Sequence, residues 1–346
     1  MTWLAWRQFR AQSIAATATL GALAIVLAAT GPHLASLYSS AGLTDCHANC
    51  GALAGAFIGQ VQHGYSEKVY YLGIALMCLT PAVIGIFWGA PLIAREFEEG
   101  THRLAWNQSV TRTRWAVVKL GLVGLAAIAT AGLLSLMVNW WARPIDKAIG
   151  YGNSSSPAEF SRITPVIFDG RGVAPLGYAA FAFALGVTAG VVLRRTIPAM
   201  AVTLVVFAAV QVFVPTVIRP NIFTPDRLTV PITATTTGLD FRGTRAGLTV
   251  VGDYSKPGAW ILSDQTITPA GHAFAMPHPP QACLGTGSLQ SCFSWLASRH
   301  LRQLVTYQPA SRFWPLQWTE MAIYLVLAAG LGVICLWQVR RRQVVS

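Results

Sequence analysis

The chain has 346 residues, of which 53% are hydrophobic and only 11% are charged, and its formal net charge is +12. A soluble domain normally has about a quarter of its residues charged, so this composition excludes an ordinary soluble protein. The positive charge does not indicate nucleic-acid binding, because no polar segment gathers the basic residues on a soluble face.

Apolar residues gather into six runs that contain no Asp, Glu, Lys or Arg. A helix needs about 20 such residues to cross roughly 30 Å of hydrocarbon. The predicted fold is an all-α polytopic membrane protein with six transmembrane helices. A cleaved signal peptide is the alternative for the first run, but that run is longer than a usual signal core, so we expect it to be retained as a span. The runs are 13–30, 72–93, 120–141, 173–193, 198–217 and 321–339.

Short basic connections predict the orientation, because loops rich in Lys and Arg stay in the cytoplasm. We expect both termini to be cytoplasmic, and the excess of Arg over Lys and the abundance of Ala favour a bacterial inner membrane. The inverted topology would place the basic clusters outside and is rejected. The basic residues of the inner segments are Arg7, Arg10, Arg95, Arg103, Arg112, Arg114, Lys119, Arg194, Arg195, Arg340, Arg341 and Arg342.

The segment before the first run, "TWLAWRQFRAQ", combines aromatic and basic residues. It is typical of a helix that lies in the membrane interface, although an ordinary aromatic belt at the end of a span is the alternative. The predicted organisation is an interfacial helix over 1–12, spans one to five over 13–217 with a cytoplasmic loop over 94–116, an extracellular domain over 218–319, and span six with a basic tail over 320–346.

Four cysteines fall in the outer connections, where disulfides are permitted. Local pairs are the simplest of three connectivities, and the sequence does not choose among them. A metal or haem site at "CHANC" is the alternative, but the order of ligands is wrong for haem and the spacing is unusual for zinc, so we expect no metal. The four cysteines are Cys46, Cys50, Cys283 and Cys292.

The connection between the fifth and sixth runs is long enough for a small domain. Its Thr- and Val-rich stretches, broken by Gly, Pro and Asp, predict a mixed, β-rich fold of short strands. Its last part, "SWLASRHLRQLVTYQP", is predicted to be helical.

Several kinds of chemistry are missing from the sequence. The apolar runs hold no ionisable side chain, and their most polar members are Asn139 and Gln211. A proton-coupled transporter usually needs such groups, so this mechanism is not expected. No lysine lies in a phosphate-binding Gly-Lys-Ser/Thr sequence, and neither His-Glu-x-x-His nor Gly-x-Ser-x-Gly occurs, so we expect neither an ATPase site nor an intramembrane enzyme.

The connection "AREFEEGTHRLAWNQSVTRTRW" stands out between the second and third runs. We expect the helix of the second span to continue to Glu99, Gly100 to break it, and Thr101 to cap a short second helix. A plain solvated loop would explain the arginines through the orientation rule. It would not explain Glu96, Glu98 and Glu99, because acidic residues gain nothing from that rule.

An order of motifs in this connection is informative. The second span is followed by four short motifs: Ala-Arg-Glu at 94–96, an acidic pair at 98–99, Gly-Thr at 100–101, and a Trp at 115 before a Lys at 119. Together with the six spans and the N-terminal helix, this order resembles the ABC-2 type permease subunits of bacterial ABC transporters. The resemblance implies that the loop is a coupling helix that docks into a separate cytoplasmic ATP-binding subunit.

The resemblance further implies a dimer of permeases, homomeric or heteromeric, with two ATP-binding subunits. This chain would bind no cofactor itself, while ATP and Mg would bind to the partner subunit. The residues expected to transmit motion are Arg95, Glu96, Glu98, Glu99, Gly100 and Thr101. The docking surface is expected over 103–108, with Arg103, Leu104, Trp106 and Gln108.

If the family geometry holds, spans two and five line a central substrate cavity. Its aromatic character would suit an amphipathic or lipid-like molecule, such as a drug, an antibiotic or a lipid, and the protein would be an exporter. The alternative is a membrane-anchored sensor whose extracellular domain binds a ligand or partner. The sequence "GVTAG" at 186–190 predicts close helix packing. The cavity residues nominated are Met77, Phe87, Trp88, Phe207, Gln211 and Phe213.

Overall fold

The computed structural model describes residues 2–98, 112–151, 160–233, 239–244, 247–252, 256, 258–276, 278 and 289–341. Most of them are helical. In chain order the α-helices are α1 (Thr2–Ser40), α2 (Gly51–Gln62), α3 (Tyr65–Val83), α4 (Ala90–Glu98), α5 (Arg112–Trp141), α6 (Arg143–Gly150), α7 (Pro165–Asp169), α8 (Ala174–Leu193), α9 (Thr196–Phe213), α10 (Arg219–Ile222), α11 (Leu289–Ser298) and α12 (Phe313–Arg341).

Among the described residues, six helical segments are long and apolar enough to cross a membrane, and each coincides with one predicted run. The six predicted spans are therefore confirmed, although most of the helices extend beyond the apolar runs. In chain order, spans 1 to 6 are Gln12–Ser40, Tyr65–Glu98, Val117–Trp141, Ala174–Leu193, Thr196–Ile222 and Ala310–Val339.

Two spans contain a π-helical segment. A π-helical segment, Ile84–Gly89, joins α3 to α4 within span 2, and a second, Val214–Ile218, joins α9 to α10 within span 5. By contrast, α1 is continuous from Thr2, so the predicted interfacial segment 1–12 is the first part of the same helix as span 1.

Successive span ends alternate between two sides of the bundle. The loop side holds the start of α1, the end of α4, the start of α5, the turn Arg194–Arg195 and the end of α12. The sheet side holds α2, α6, α7 and the strands.

Two short helices on the sheet side are amphipathic: α2 buries Ala54, Phe57, Ile58 and Val61, and α6 buries Ile145, Ala148 and Ile149. The i, i+3, i+4 spacing of these residues turns one face of each helix to the core that they share with spans 1 to 3.

A three-stranded antiparallel sheet lies between spans 5 and 6, with β5 in the centre and β1 and β4 at its edges. Asp226 of β1 pairs with Tyr307 of β5, and Trp260 of β4 pairs with Gln308. The predicted mixed domain is thus confirmed, and β2 and β3 add a separate hairpin. The strands are β1 (Asp226–Pro231), β2 (Leu239–Thr244), β3 (Gly247–Gly252), β4 (Trp260–Ile267) and β5 (Arg302–Gln308).

The prediction of helix across "SWLASRHLRQLVTYQP" is correct only in its first half. Helix α11 ends at Ser298, His300 has a left-handed φ of 51°, and β5 follows. Alternating Gln303, Val305 and Tyr307 are buried on one face of β5. This period of two, with a β-branched and an aromatic residue, is a strand pattern that outweighs the helical start.

The predicted disulfides are confirmed in part. Cys46 and Cys50 are bonded to each other, which selects the local pairing at this position. Cys292 is also disulfide-bonded, while Cys283 lies outside the described residues.

Helix α8 lies at the centre of the bundle, and 72% of its most apolar 18-residue stretch is buried. Gly186 and Gly190 face α4 and the π-helical segment of span 2. A Cβ atom at Gly190 would lie 2.6 Å from the carbonyl oxygen of Ala90, and one at Gly186 would lie 2.8 Å from the nitrogen of Ala90. Glycine is therefore required for this approach, as the small-residue pattern predicts.

Candidate functional site

The described parts of the charged connection are the end of α4, which ends span 2 on the loop side, and the start of α5. The α4 residues Ala90, Ile93 and Ala94 are buried. They lie on one face at helical spacing, and this face packs against α8 beside Gly190. The polar residues that follow extend beyond the apolar core toward the next connection.

Glu96 joins α4 to span 3. Its Oε1 atom lies 2.5 Å from the Nζ atom of Lys119, and the two side chains are only 13% and 7% exposed. Breaking such a pair leaves a poorly solvated charge behind, so the contact holds its two helices together firmly. Glu96 and Lys119 lie in α4 and α5, so their ion pair joins the two helices on either side of residues 99–111 in the sequence.

Glu98 joins α4 to span 5. Its carboxylate accepts hydrogen bonds from the backbone N–H of Thr196 at 2.9 Å and from the Thr196 hydroxyl at 2.5 Å. Thr196 is the first residue of α9, where backbone N–H groups have no partner in their own helix. The carboxylate supplies the missing acceptor, and its negative charge is favourable at this end of the helix dipole.

Two weaker contacts complete the attachment of span 2. The Arg194 guanidinium lies 5.9 Å from the centre of the Phe97 ring, and Arg194 forms the left-handed turn between spans 4 and 5. The Gln12 amide of span 1 donates a hydrogen bond to the Phe87 carbonyl at 3.1 Å, within the π-helical segment. Span 2 is therefore attached by polar or charged contacts to spans 1, 3 and 5 and to the turn between spans 4 and 5.

A second polar site lies on the sheet side and is fully enclosed. We call it the Arg219 cluster; it consists of Arg219, Glu320, Asp169 and Tyr178. Arg219 and Glu320 are both 0% exposed, and Nε and Nη2 of Arg219 each donate to the Glu320 carboxylate at 2.7 Å. Arg219 also donates to Asp169, and the Tyr178 hydroxyl donates to Glu320 at 2.6 Å. The cluster fastens α7, α8, α10 and α12 together.

Burial raises the pKa of Asp169 to about 6, although the neighbouring Arg219 lowers it and Glu320 raises it further. One guanidinium thus faces two carboxylates. Arg219 alone does not offset the loss of water around Asp169, so its charged form is disfavoured.

A neighbouring set, the Arg171 cluster, is formed by Arg171, Asp146, Asn139 and Tyr70. Arg171 is 0% exposed. It donates to Asp146 at 2.6 Å and to the side-chain oxygen of Asn139 at 2.8 Å, and its Nη1 atom lies 3.5 Å from the Tyr70 hydroxyl. This cluster links α6 to spans 2 and 3.

The buried clusters were not predicted from the sequence, because no ionisable groups were expected in the spans. That expectation holds for the apolar runs and is wrong for the longer helices, because Lys119, Arg219 and Glu320 lie in the added turns. The available signal was the position of each charge directly beside an apolar run, as in "VIRP" and "WTEM".

The comparison with known families agrees with this architecture. The model of a family described as ABC-2 membrane transporter related matches residues 17–219, more than half of the chain. The chain belongs to this family. The match covers most of span 1, spans 2 to 4 and span 5 up to Arg219, and it confirms the resemblance to ABC-2 type permeases. No curated protein and no solved structure matches the chain significantly.

Membership in the ABC-2 membrane transporter related family identifies a multi-pass permease subunit of a transporter. The family implies a membrane-embedded component that is not itself enzymatic and that works with an ATP-binding subunit.

The coupling residues expected in an ABC-2 permease are only partly within the described chain. Glu96 and Glu98 are brought to spans 3 and 5, and Arg95 is exposed beside them and has polar or charged contacts of its own. The other expected residues lie outside the described residues: Glu99, Gly100, Thr101, Arg103, Leu104, Trp106 and Gln108.

The nominated cavity residues do not form one group. Met77, Trp88 and Phe207 are buried in three different core clusters. Phe87 and Phe213 are each 53% exposed on the outer surface of the chain. Gln211 accepts a hydrogen bond from the Tyr324 hydroxyl at 3.1 Å. Their role in a substrate cavity stays a prediction.

Proposed function

We propose that this permease subunit belongs to an ATP-driven exporter that moves an amphipathic or lipid-like substrate, such as a drug, an antibiotic or a lipid, by alternating access. A separate ATP-binding subunit would bind ATP and Mg and dock on the connection 94–116. The loop side would face the cytoplasm of a bacterial cell, and a second permease subunit would complete the complex.

The observation that carries this proposal is the attachment of α4. The Glu96–Lys119 ion pair and the Glu98–Thr196 hydrogen bonds fix the end of span 2 to spans 3 and 5. A partner that pushes on the adjoining connection therefore moves several spans as a unit. A connection that served only to join two spans would have no need of these attachments.

The exposed apolar surface of span 5 supports a larger membrane assembly. Ile197, Val205 and Val212 are 79%, 66% and 65% exposed on this chain. Such side chains need lipid or another apolar surface around them. A second permease subunit would cover part of this surface, and lipid would cover the rest.

The test is affinity purification of the full chain from its native membrane in mild detergent, followed by identification of bound proteins and measurement of ATP hydrolysis. We expect an ATP-binding subunit to accompany the native chain and to be lost from an Arg103→Ala, Trp106→Ala variant. Glu67→Gln, a charge change at the opposite end of span 2, is the control and should retain the partner. Failure to recover any nucleotide-binding partner under mild conditions would contradict the proposal and favour the sensor alternative.

A further inference from the structure

Two adjoining cavities open on the sheet side, away from the coupling site. The first has a volume of about 430 Å³ and lies between span 3, α6 and the start of α12. The second, of about 410 Å³, continues toward Lys256 in the region that carries the strands. Asp146, Arg162 and Phe313 line both cavities and form the boundary between them.

The polar part of the cavities is strongly basic. Arg143 and Arg162 line the first cavity, and Lys256 lines the second. Within the described ranges neither arginine donates a hydrogen bond, although the Arg162 guanidinium lies 4.9 Å over the Phe313 ring and its Nε atom forms a long ion pair with Asp146 Oδ1 at 3.9 Å. Lys256 donates to the Tyr307 hydroxyl at 2.6 Å, which occupies one of its three N–H groups. These donors match a phosphate group.

Asp146 adds an unused acceptor. Its Oδ2 atom accepts from Arg171 at 2.6 Å, whereas Oδ1 is buried, has no hydrogen-bond partner in the part of the chain that the structure describes, and faces the Arg162 guanidinium at 3.9 Å. A buried carboxylate oxygen in this state is unfavourable. A ligand that presents a hydroxyl or ammonium donor beside its phosphate would satisfy it.

The other part of the first cavity is apolar and reaches into the span. From Asn139 to Gly132 the lining follows α5 for about 10 Å. Leu136 and Trp314, which also line it, are 68% and 49% exposed, so this part is open toward the surrounding hydrocarbon. The site is polar at one end and accessible to an acyl chain at the other.

We propose that the two cavities together bind one phospholipid whose headgroup carries a hydrogen-bond donor. The phosphate contacts Arg162, with Arg143 and Lys256 on either side. The headgroup hydroxyl or ammonium donates to Asp146, and one acyl chain lies along Leu136 and Trp314. This site is independent of the coupling site, so the phospholipid is a bound component of the permease and need not be transported.

The test is native mass spectrometry of the full chain in detergent with dioleoyl phosphatidylethanolamine or phosphatidylglycerol, which carry donors, and with dioleoyl phosphatidylcholine, which does not. Glycerol 3-phosphate is the soluble headgroup probe. We expect the two donor lipids to bind about tenfold more tightly than phosphatidylcholine, since the difference is one charge-assisted hydrogen bond. Arg162→Gln and Lys256→Gln should each weaken their binding by about the same factor.

The matched control is Lys147→Gln, which removes a charge from the exposed surface of α6 outside both cavities. It should bind the donor lipids as the native chain does. Equal binding of all three lipids, or equal loss in Lys147→Gln and Arg162→Gln, would overturn the site. Tight binding of glycerol 3-phosphate alone would overturn the assignment to a lipid.

Discussion

The two sides of the helical bundle hold their charged side chains in different ways. On the loop side, Glu96 and Glu98 each join α4 to one neighbouring span, and Glu98 is exposed. On the sheet side, Arg219 and Glu320 are 0% exposed and share several hydrogen bonds with groups from other helices.

This difference indicates which side moves and which stays fixed. The exposed Glu98–Thr196 contact is easily exchanged for water, so its breaking and re-forming involve small free energies, whereas the mostly buried Glu96–Lys119 pair stays closed. Removing one partner from a buried network leaves a charge with no solvent to stabilise it. We therefore expect the sheet side to be the fixed end of the bundle and the loop side to be the end that responds to a partner.

The largest expected effect is that of Arg219→Met. The substitution leaves Asp169 and Glu320 together without their cation, and breaking a buried ion pair in this way typically costs about 3–5 kcal/mol. Thermal unfolding of the detergent-solubilised chain should show a large fall in Tm or no folded protein.

The matched control for this variant is Arg227→Met, at an exposed position of β1. It should unfold close to the native temperature, because an exposed charge contributes little. Similar stability of Arg219→Met and Arg227→Met would remove the distinction between the two sides.

The next effect in size is a pH dependence from Asp169. Its pKa is about 6 in the folded chain, against 3.8 for an ordinary Asp side chain. The folded state therefore binds the proton more tightly, so this contribution to stability is full below about pH 4 and is lost as the pH rises through about 6. The loss is about 3 kcal/mol at most, from roughly 1.4 kcal/mol per pKa unit.

The measurement is the unfolding free energy or Tm of the native chain and of Asp169→Asn at pH values between 4 and 7. The difference between the two should change across this window, with the native chain losing stability relative to the variant. Asp226→Asn, whose carboxylate is half-exposed and paired with Arg312, is the control and should not remove the effect. Parallel profiles for the native chain and Asp169→Asn would contradict the assignment.

A smaller effect is expected from packing at the centre. Gly186→Ala places a Cβ atom against the backbone of span 2 and should cost about 1–3 kcal/mol, as overpacking does. Gly332→Ala in α12 has no atom within 4 Å and should be neutral or stabilising by up to about 1 kcal/mol. Equal Tm values for the two variants would show that the close approach of α8 to span 2 is not needed.

The spans were predictable because each is a long apolar run, and the requirement for hydrocarbon length is local in sequence. A coupling role for Glu96 and Glu98, which stays a prediction, was also suggested locally, by acidic residues that the orientation rule does not explain. Their partners Lys119 and Thr196 were not predicted, since Thr196 is 98 residues from Glu98 and nothing near either residue indicates the pairing.

The pairing within the Arg219 cluster was unpredictable for the same reason, since Arg219 and Glu320 are 101 positions apart in the chain. Strand β5 was missed because its period of two begins directly after a helix and becomes decisive only when strands pair on both edges. Helices α2 and α6 carry local amphipathic patterns, but the long apolar runs beside them dominate a search for spans.

The most direct test of the account is the rate of ATP hydrolysis by the purified permease–ATPase complex carrying Glu98→Gln, Thr196→Val or both. Thr216→Val, whose hydroxyl bonds only to its own helix among the described residues, is the matched control on the same span. If the Glu98–Thr196 contact transmits motion, each single variant should keep the partner bound and lower the rate by about fivefold or more. The double variant should lose no more than Glu98→Gln alone, because Thr196→Val removes the hydroxyl bond to the same carboxylate and leaves the backbone N–H bond in place. Native rates in both single variants, with the partner still bound, would contradict the account.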